Sequence, residues 1–341
     1  MPQVTDVVLD TRLTRQMSVG MKAYAAELAA RLPRVAPDLR FASLSRGENF
    51  SADEQIGMPW ALARMRPRLT HFLSVYAPLL APAPFAITVH DLIHLRHPAF
   101  FKKKVGWYYQ TIVRAVCARA ARVITDDERT VEDLKRFLGV AREKIRVIPL
   151  GCDDAYLRER EPFRAARPFF LYAGNHRQHK DLPTLLAAWA ALPAHLDADL
   201  YLTGENDLPP ERQPTRALGA VRFLGDVATE ELARFYGSCV ALVHPALCEG
   251  FGLPMLEAGA AGAAVLACED AAPTVLRPYV ECFAAGDVAG LRALMERALA
   301  GDPVLQARRA ALRGAARGLT WDRCAAATAE VYREVLAECR S

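Results

Sequence analysis

The sequence predicts an α/β fold with parallel sheets, divided between two doubly wound domains of similar size. Three observations carry that expectation. At 341 residues the chain has room for two domains of roughly 150 residues each. Short β-rich runs alternate with longer Ala/Leu-rich stretches along most of its length. A charged, proline-bearing segment (Asp153, Asp154, Arg158 to Pro162, Arg167) interrupts the alternation near the middle and reads as a linker. The domains are accordingly expected at 1–160 and 161–320, with a helix over 321–341 after them.

Taken in order, Val4–Leu9 is a first strand. A turn-like stretch ending in Ser18-Val19-Gly20 leads into a helix over Lys22–Leu32, where Tyr24, Leu28 and Leu32 recur every four residues. Leu69 to Val89 carries no formal charge over 21 residues, long enough to suggest a membrane span. Pro78, Pro82 and Pro84 break it, so it reads as strand, loop and strand, the second being Phe85–Val89. Arg122–Thr125 and Arg146–Ile148 follow as strands. After the linker come strand Phe169–Tyr172, a loop to Lys180, a helix from about Pro183, and strands Asp199–Leu202 and Val221–Phe223. Helix Glu230–Tyr236, strand Val240–His244, a helix from Pro254 and strand Ala264–Ala267 complete the second series. Sheets of this kind bind ligands beyond the carboxyl ends of their strands. Two such domains facing each other would place a ligand in a central cleft.

Composition narrows the function classes. Hydrophobic residues make up 52% of the chain and charged residues 24%, which excludes disorder. Met1–Asp6 shows no export signal, and the eight cysteines contain no C-x-x-C pair. The expectation is a cytoplasmic protein with reduced thiols. The formal charge of +4 is uneven: residues 1–160 hold 25 Lys and Arg against 17 Asp and Glu, and residues 161–341 hold 18 against 22. Lys102-Lys103-Lys104 followed by Trp107-Tyr108-Tyr109 is either a solvated face or a docking patch for an anionic membrane surface. Nucleic acid is not an expected partner, because no binding motif accompanies the modest charge. His90, His94 and His97 with Asp91 lack the spacing of a metal frame, and no metal is expected.

The most informative segment is Glu249-Gly250-Phe251-Gly252-Leu253-Pro254-Met255-Leu256-Glu257. Its glycines allow close backbone approach, and Pro254 suits a first helical turn. The amides of Phe251, Gly252 and Leu253 then form a helix N-terminus suited to anions and hydroxyls, with Glu249 just before it and Glu257 one turn in.

This segment resembles the Glu-x7-Glu motif of the retaining glycosyltransferases of family 4. Leu9-Asp10-Thr11-Arg12 with Val19-Gly20-Met21 and Tyr24, Thr88-Val89-His90-Asp91-Leu92-Ile93 and Ile148-Pro149-Leu150-Gly151 are similar to other landmarks of that family. So are Leu171-Tyr172-Ala173-Gly174-Asn175 through Lys180-Asp181-Leu182, Phe223-Leu224-Gly225 and Thr320-Trp321-Asp322. The resemblance implies the GT-B fold of two Rossmann-like domains, the first for the acceptor and the second for a nucleotide-diphosphate sugar, with the C-terminal helix packing back on the first. It implies transfer of a hexose, mannose from GDP-mannose foremost, to a saccharide or lipid-linked acceptor. His90, Lys180 and Glu249 would be catalytic. Gly20, Arg177, Phe251, Gly252, Leu253 and Glu257 would bind the donor, and no cofactor or metal would be needed. The chain departs from the family at Asn175, His179 and Thr274. Those departures keep a non-catalytic nucleotide-binding or scaffold protein as the alternative.

Overall fold

The computed structural model describes residues 5–12, 19–49, 51–208 and 214–339. The chain divides into two compact units, Met1–Gly151 with Thr320–Ser341, and Cys152–Leu319. In the first unit six parallel strands, β1 (Val7–Asp10), β2 (Phe41–Leu44), β3 (Leu69–Phe72), β4 (Phe85–Thr88), β5 (Arg122–Thr125) and β6 (Ile145–Val147), lie in the order β2-β1-β3-β4-β5-β6. The second unit repeats the plan with β7 (Phe169–Tyr172), β8 (Asp199–Leu202), β9 (Val221–Phe223), β10 (Ala241–His244), β11 (Val265–Cys268) and β12 (Glu281–Phe283), ordered β12-β11-β10-β7-β8-β9.

The central strands β1, β3, β4, β7, β8, β10 and β11 are buried along their whole length. That is the condition of a parallel sheet covered on both faces, and it explains why these strands read as continuous apolar runs. All four edge strands, β2, β6, β9 and β12, are only partly buried; the expectation read β6 and β9 and missed β2 and β12. The uncharged run from Leu69 to Val89 is β3, a loop and β4. Among the described residues no helix is long and apolar enough to cross a membrane. None of the eight cysteines is in a disulfide.

Helix α1 (Val19–Val35) buries Tyr24, Ala25, Leu28 and Leu32. It begins three residues before the expected start, which puts Gly20 in its first turn. Val4 and Ser18, assigned to the first strand and the turn, lie outside the described residues. The second unit contributes α2 (Leu182–Ala190), α3 (Thr229–Ser238), α4 (Leu253–Ala261), α5 (Val288–Leu299) and α6 (Pro303–Arg317). The last of these eluded the sequence reading: it holds four arginines and buries only Leu305, Leu312 and Ala316, too thin an apolar stripe to stand out.

Helix α7 (Trp321–Glu338) opens with the Thr320 side chain accepting from the Arg323 N–H. It belongs to the first unit. Asp322 pairs with Arg31 and Arg34 of α1 at 2.6 and 2.5 Å, and Tyr332 Oη lies 2.6 Å from His71 Nδ1 on β3. His71 Nε2 reaches Thr88 Oγ1 at 2.8 Å, and Thr88 reaches Tyr24 Oη at 2.9 Å. Burial holds the His71 pKa down to about 3, so this polar chain is neutral and ties α7, β3, β4 and α1 together.

The 153–167 stretch is packed into the second unit. Asp153 caps the short helix Asp154–Leu157. Phe163 sits edge-on to Phe235 at 4.6 Å, and its N–H donates to Ser238 Oγ at 2.8 Å. The chain passes between units at Gly151/Cys152, earlier than residue 160, and again at Leu319/Thr320. These crossings run side by side: Cys152 N–H donates to Leu319 O at 2.8 Å. Gly151 is the tightest point, since a Cβ there would lie 2.1 Å from Trp321 N and 2.4 Å from Trp321 Cα. Backbone on the far side has no rotamer with which to yield. Gly151→Ala is therefore expected to destabilise the first unit by about 2 kcal/mol or more, read as a fall in Tm. An unchanged Tm would show that the crossing has slack.

Candidate active site

The chemistry-bearing residues sit just past strand ends. In the second sheet β7 lies between β8 and β10, so the loops leaving β7 and β10 depart to opposite faces and leave a crevice between them. The β7 loop carries Arg177 and Lys180, and ends at Asp181, whose φ of +49° is left-handed. Asp181 opens α2 and accepts from Thr184 Oγ1 at 2.7 Å. The β10 loop carries Glu249 and ends at Gly252, with φ +81°. A Cβ at Gly252 would lie 2.3 Å from Met255 Cε. Leu247 N–H donates to His179 O at 2.9 Å and joins the two loops.

Lys180 and Glu249 meet there. The Lys180 ammonium pairs with Glu249 Oε1, and His244 Nε2 lies 2.8 Å from the same oxygen. All three side chains are largely buried, at 12, 13 and 1% exposure. Burial by itself would raise the Glu249 pKa. The Lys180 charge and the His244 bond outweigh it and hold the carboxyl well below the usual range. The ionised carboxylate only accepts, so His244 donates through Nε2–H. Its Nδ1 is buried and has no hydrogen-bond partner among the described residues.

Phe251, Gly252 and Leu253 stand where the sequence placed them, at the opening of α4, whose first amides have no intrahelical acceptor. Glu257 lies one turn further, within α4. Tyr236 Oη donates to its Oε2 at 3.4 Å, and Tyr156 is also bonded to it. Glu257 is half-buried and forms no ion pair with a cation among the described residues. Burial, with the nearby charge of Asp153, pushes its pKa up to about 7. Arg177 is exposed on its loop, where its N–H donates to Asn175 Oδ1 at 3.3 Å.

In the first unit the β4–β5 register pairs Thr88 with Ile124. Two residues on, His90 stands beside Asp126. His90 Nδ1 lies 2.6 Å from Asp126 Oδ2, and its Nε2 lies 3.2 Å from Leu73 O. Both ring nitrogens thus face acceptors, which suits the doubly protonated ring. Burial opposes that charge and the Asp126 carboxylate outweighs it, so the His90 pKa is raised. Burial likewise raises that of Asp126, whose Oδ1 has no hydrogen-bond partner among the described residues. The Tyr24 ring stands edge-on to His90 at 4.7 Å. Beyond β1, Arg12 is buried between Asp10 (2.7 Å) and Glu54 (3.2 Å).

His94 stacks on Tyr109 at 5.1 Å, and His97 on Phe100 at 6.0 Å. Both are packing groups. Among the described residues no group of three or more His, Cys, Asp and Glu side chains is placed to hold a metal ion.

The sequence reading named His90, Lys180 and Glu249 but not their partners Asp126 and His244, nor the tyrosines against Glu257. Asp126 was within reach of it, because it follows strand Arg122–Thr125 as His90 follows the neighbouring strand. His244 ends its strand and gave no separate signal.

Residues 20–156 match the family described as Glycosyltransferase Family 4, and residues 167–300 match that described as Glycosyl transferases group 1. The chain belongs to the family 4 glycosyltransferases. The MMP alpha-(1->4)-mannosyltransferase of Mycolicibacterium hassiacum is 28% identical over 76% of this chain and 66% of its own length. O-antigen chain mannosyltransferase B of Escherichia coli is 25% identical over 80% of this chain and 76% of its own. A glycogen synthase of Mycobacterium tuberculosis is 28% identical over 93% and 77%. The solved sucrose-phosphate synthase of Thermosynechococcus elongatus superposes with a TM-score of 0.73 at 18% identity, covering 98% of this chain and 100% of that one. Anabaena HepE in complex with UDP-glucose does so with 0.73 at 14% identity, covering 97% and 100%. The fold of this family 4 glycosyltransferase is GT-B, with its two Rossmann-like units.

The Glu257 environment has a signed consequence. Its folded pKa of about 7 exceeds the ordinary 4.5, so the folded state holds a proton that the unfolded chain has released. Stability therefore falls as pH rises from about 4.5 through 7. Glu257→Gln removes that loss: its Tm relative to wild type is expected to be higher at pH 8 than at pH 5. A difference that is flat with pH would refute the assigned environment.

Proposed function

We propose that this chain is a retaining hexosyltransferase that moves a hexose, mannose foremost, from a nucleotide-diphosphate sugar to a saccharide or lipid-linked acceptor in polysaccharide assembly. The observation that carries the reading is the Lys180–Glu249–His244 constellation in the crevice beside β7. It supplies a cation for a departing diphosphate and an ionised carboxylate for the hydroxyls of a sugar, next to the Phe251–Leu253 backbone that opens α4. The mannosyltransferase relatives support mannose as the sugar, and GDP-mannose is the proposed donor.

In the proposed reaction the bond from the anomeric carbon to the diphosphate breaks. The acceptor oxygen bonds to that carbon on the same face, and its proton passes to the departing phosphate oxygen. Lys180 stabilises the charge that grows on the diphosphate, while Glu249, kept ionised by Lys180 and His244, holds the sugar. Arg177, exposed on the β7 loop, is free to swing toward the phosphates. Glu257 would bind ribose hydroxyls, and Gly20 in the first turn of α1 would let the backbone approach the diphosphate. His90, charged beside Asp126, would act at the sugar. No step calls on a metal or other cofactor.

Lys102, Lys103 and Lys104 are exposed at the start of helix Lys103–Tyr108, where Trp107 is 64% exposed. That pairing supports peripheral docking on an anionic membrane, the place of a lipid-linked acceptor.

Two outcomes test this reading. With GDP-mannose, and UDP-glucose in parallel, Lys180→Ala is expected to lower turnover by about 10²–10³-fold with Tm preserved. NMR of the product should show an α-linkage from an α-linked donor. A wild-type rate in the variant, or a β-product, would overturn the assignment. Co-sedimentation with phosphatidylglycerol vesicles is expected for wild type and lost when Lys102, Lys103 and Lys104 are all changed to Glu; equal pelleting would remove the membrane role.

A further inference from the structure

The second unit has a groove on the side opposite its candidate active site. Its walls come from the 158–162 segment before β7, the end of α3 before β10, the end of α4 before β11, and α6. Every wall but α6 therefore lies at the amino ends of the strands, whereas Lys180, His244 and Glu249 follow the carboxyl ends. The groove encloses about 630 Å³, within the range of roughly 300–1,000 Å³ that holds small ligands.

Its lining is strongly cationic. Arg158, Arg160, Arg234, Arg309 and Arg313 line it, with Glu159 and Glu161 as the acids. Composition does not account for this, because Cys152–Leu319 as a whole holds 17 Lys and Arg against 21 Asp and Glu. Helix capping accounts for only part. Arg160 Nε donates to Ala155 O at 3.1 Å, Arg234 Nε to Glu161 O at 3.3 Å, and Arg309 Nε to Gly262 O. In each case the inner nitrogen is anchored to a backbone carbonyl, and the terminal NH₂ pair makes no hydrogen bond among the described residues. Of the two acids, Glu159 is engaged by Arg313 and Arg317. Arg313 Nε is buried with no hydrogen-bond partner among the described residues. A guanidinium fixed at its neck presents a fork that matches a carboxylate or phosphate in a bidentate way, with little ordering left to do.

We propose that this groove is a second binding site, distinct from the donor site, for a small multivalent oxyanion bearing two or more phosphate or carboxylate groups. Several forks spread along one groove suit separated anionic groups on one molecule better than a single ion.

The test is isothermal titration of the intact protein with inorganic tripolyphosphate and, separately, with citrate at fixed ionic strength. Wild type, Lys180→Ala and the double variant Arg158→Gln/Arg234→Gln are compared. Both arginines are exposed, so the double variant is expected to fold. At least one probe is expected to bind wild type and Lys180→Ala alike and to lose about tenfold or more in affinity in the arginine variant. The probe that binds tells whether phosphate or carboxylate is preferred. Absence of binding by both probes to wild type, or undiminished binding by the arginine variant, overturns the proposal. The Lys180→Ala arm separates this outcome from any failure of the donor-site reading.

Discussion

A parallel sheet covered on both faces delivers every strand to the same edge, and the functional layout of this protein follows from that constraint. In each unit the strands end side by side, and the residues just beyond them are the ones least able to take part in the ladder. Asp10 closes β1 and His244 closes β10, while Arg12 after β1, His90 after β4, Asp126 after β5, Lys180 on the loop after β7 and Glu249 on the loop after β10 lie beyond those ends. Register turns adjacency in the sheet into contact in the site. His90 meets Asp126 because Thr88 is paired with Ile124 two residues earlier.

Charge at these strand ends is desolvated, and the structure meets that cost by pairing. Arg12 is held between Asp10 and Glu54, His90 against Asp126, and Lys180 against Glu249 with His244. Removing one member of a buried pair leaves an uncompensated charge, so these contacts also stiffen the loops that carry them. Glu249 and Glu257 show how far environment separates two copies of one side chain. The first has a cation and a histidine and stays ionised at low pH. The second has tyrosines and a neighbouring aspartate, and titrates near 7. A group that ionises near neutrality can hold a hydroxyl-rich ligand as donor or acceptor, a role closed to Glu249.

Much of this was legible before any coordinates. The central strands were readable because burial on both faces favours apolar residues, and Phe169–Tyr172, Asp199–Leu202 and Arg122–Thr125 have the bounds expected of them, as does the edge strand Val221–Phe223. The edge strands β2 and β12 were missed, although the edges β6 and β9, also partly exposed, were read. Helix α6 was hidden by its arginines. The 153–167 stretch looked like a linker for the same reason: its charges mask Phe163, which packs against Phe169, Tyr201 and Phe235.

Lys180 and His90 stood out through the family resemblance, whereas the sequence by itself determined the alternation of strands and helices, the glycine and proline punctuation around Gly252 and Pro254, and the two glutamates, Glu249 and Glu257, that flank it. These are local properties, encoded within a few residues of one another. Tertiary structure alone decided the partners: Asp126 for His90, Lys180 for Glu249, Tyr236 and Tyr156 for Glu257, and five arginines from three segments around one groove. Those pairings depend on strand order and register. Both are set by how whole elements bury their apolar faces together, an outcome that no short stretch of chain contains.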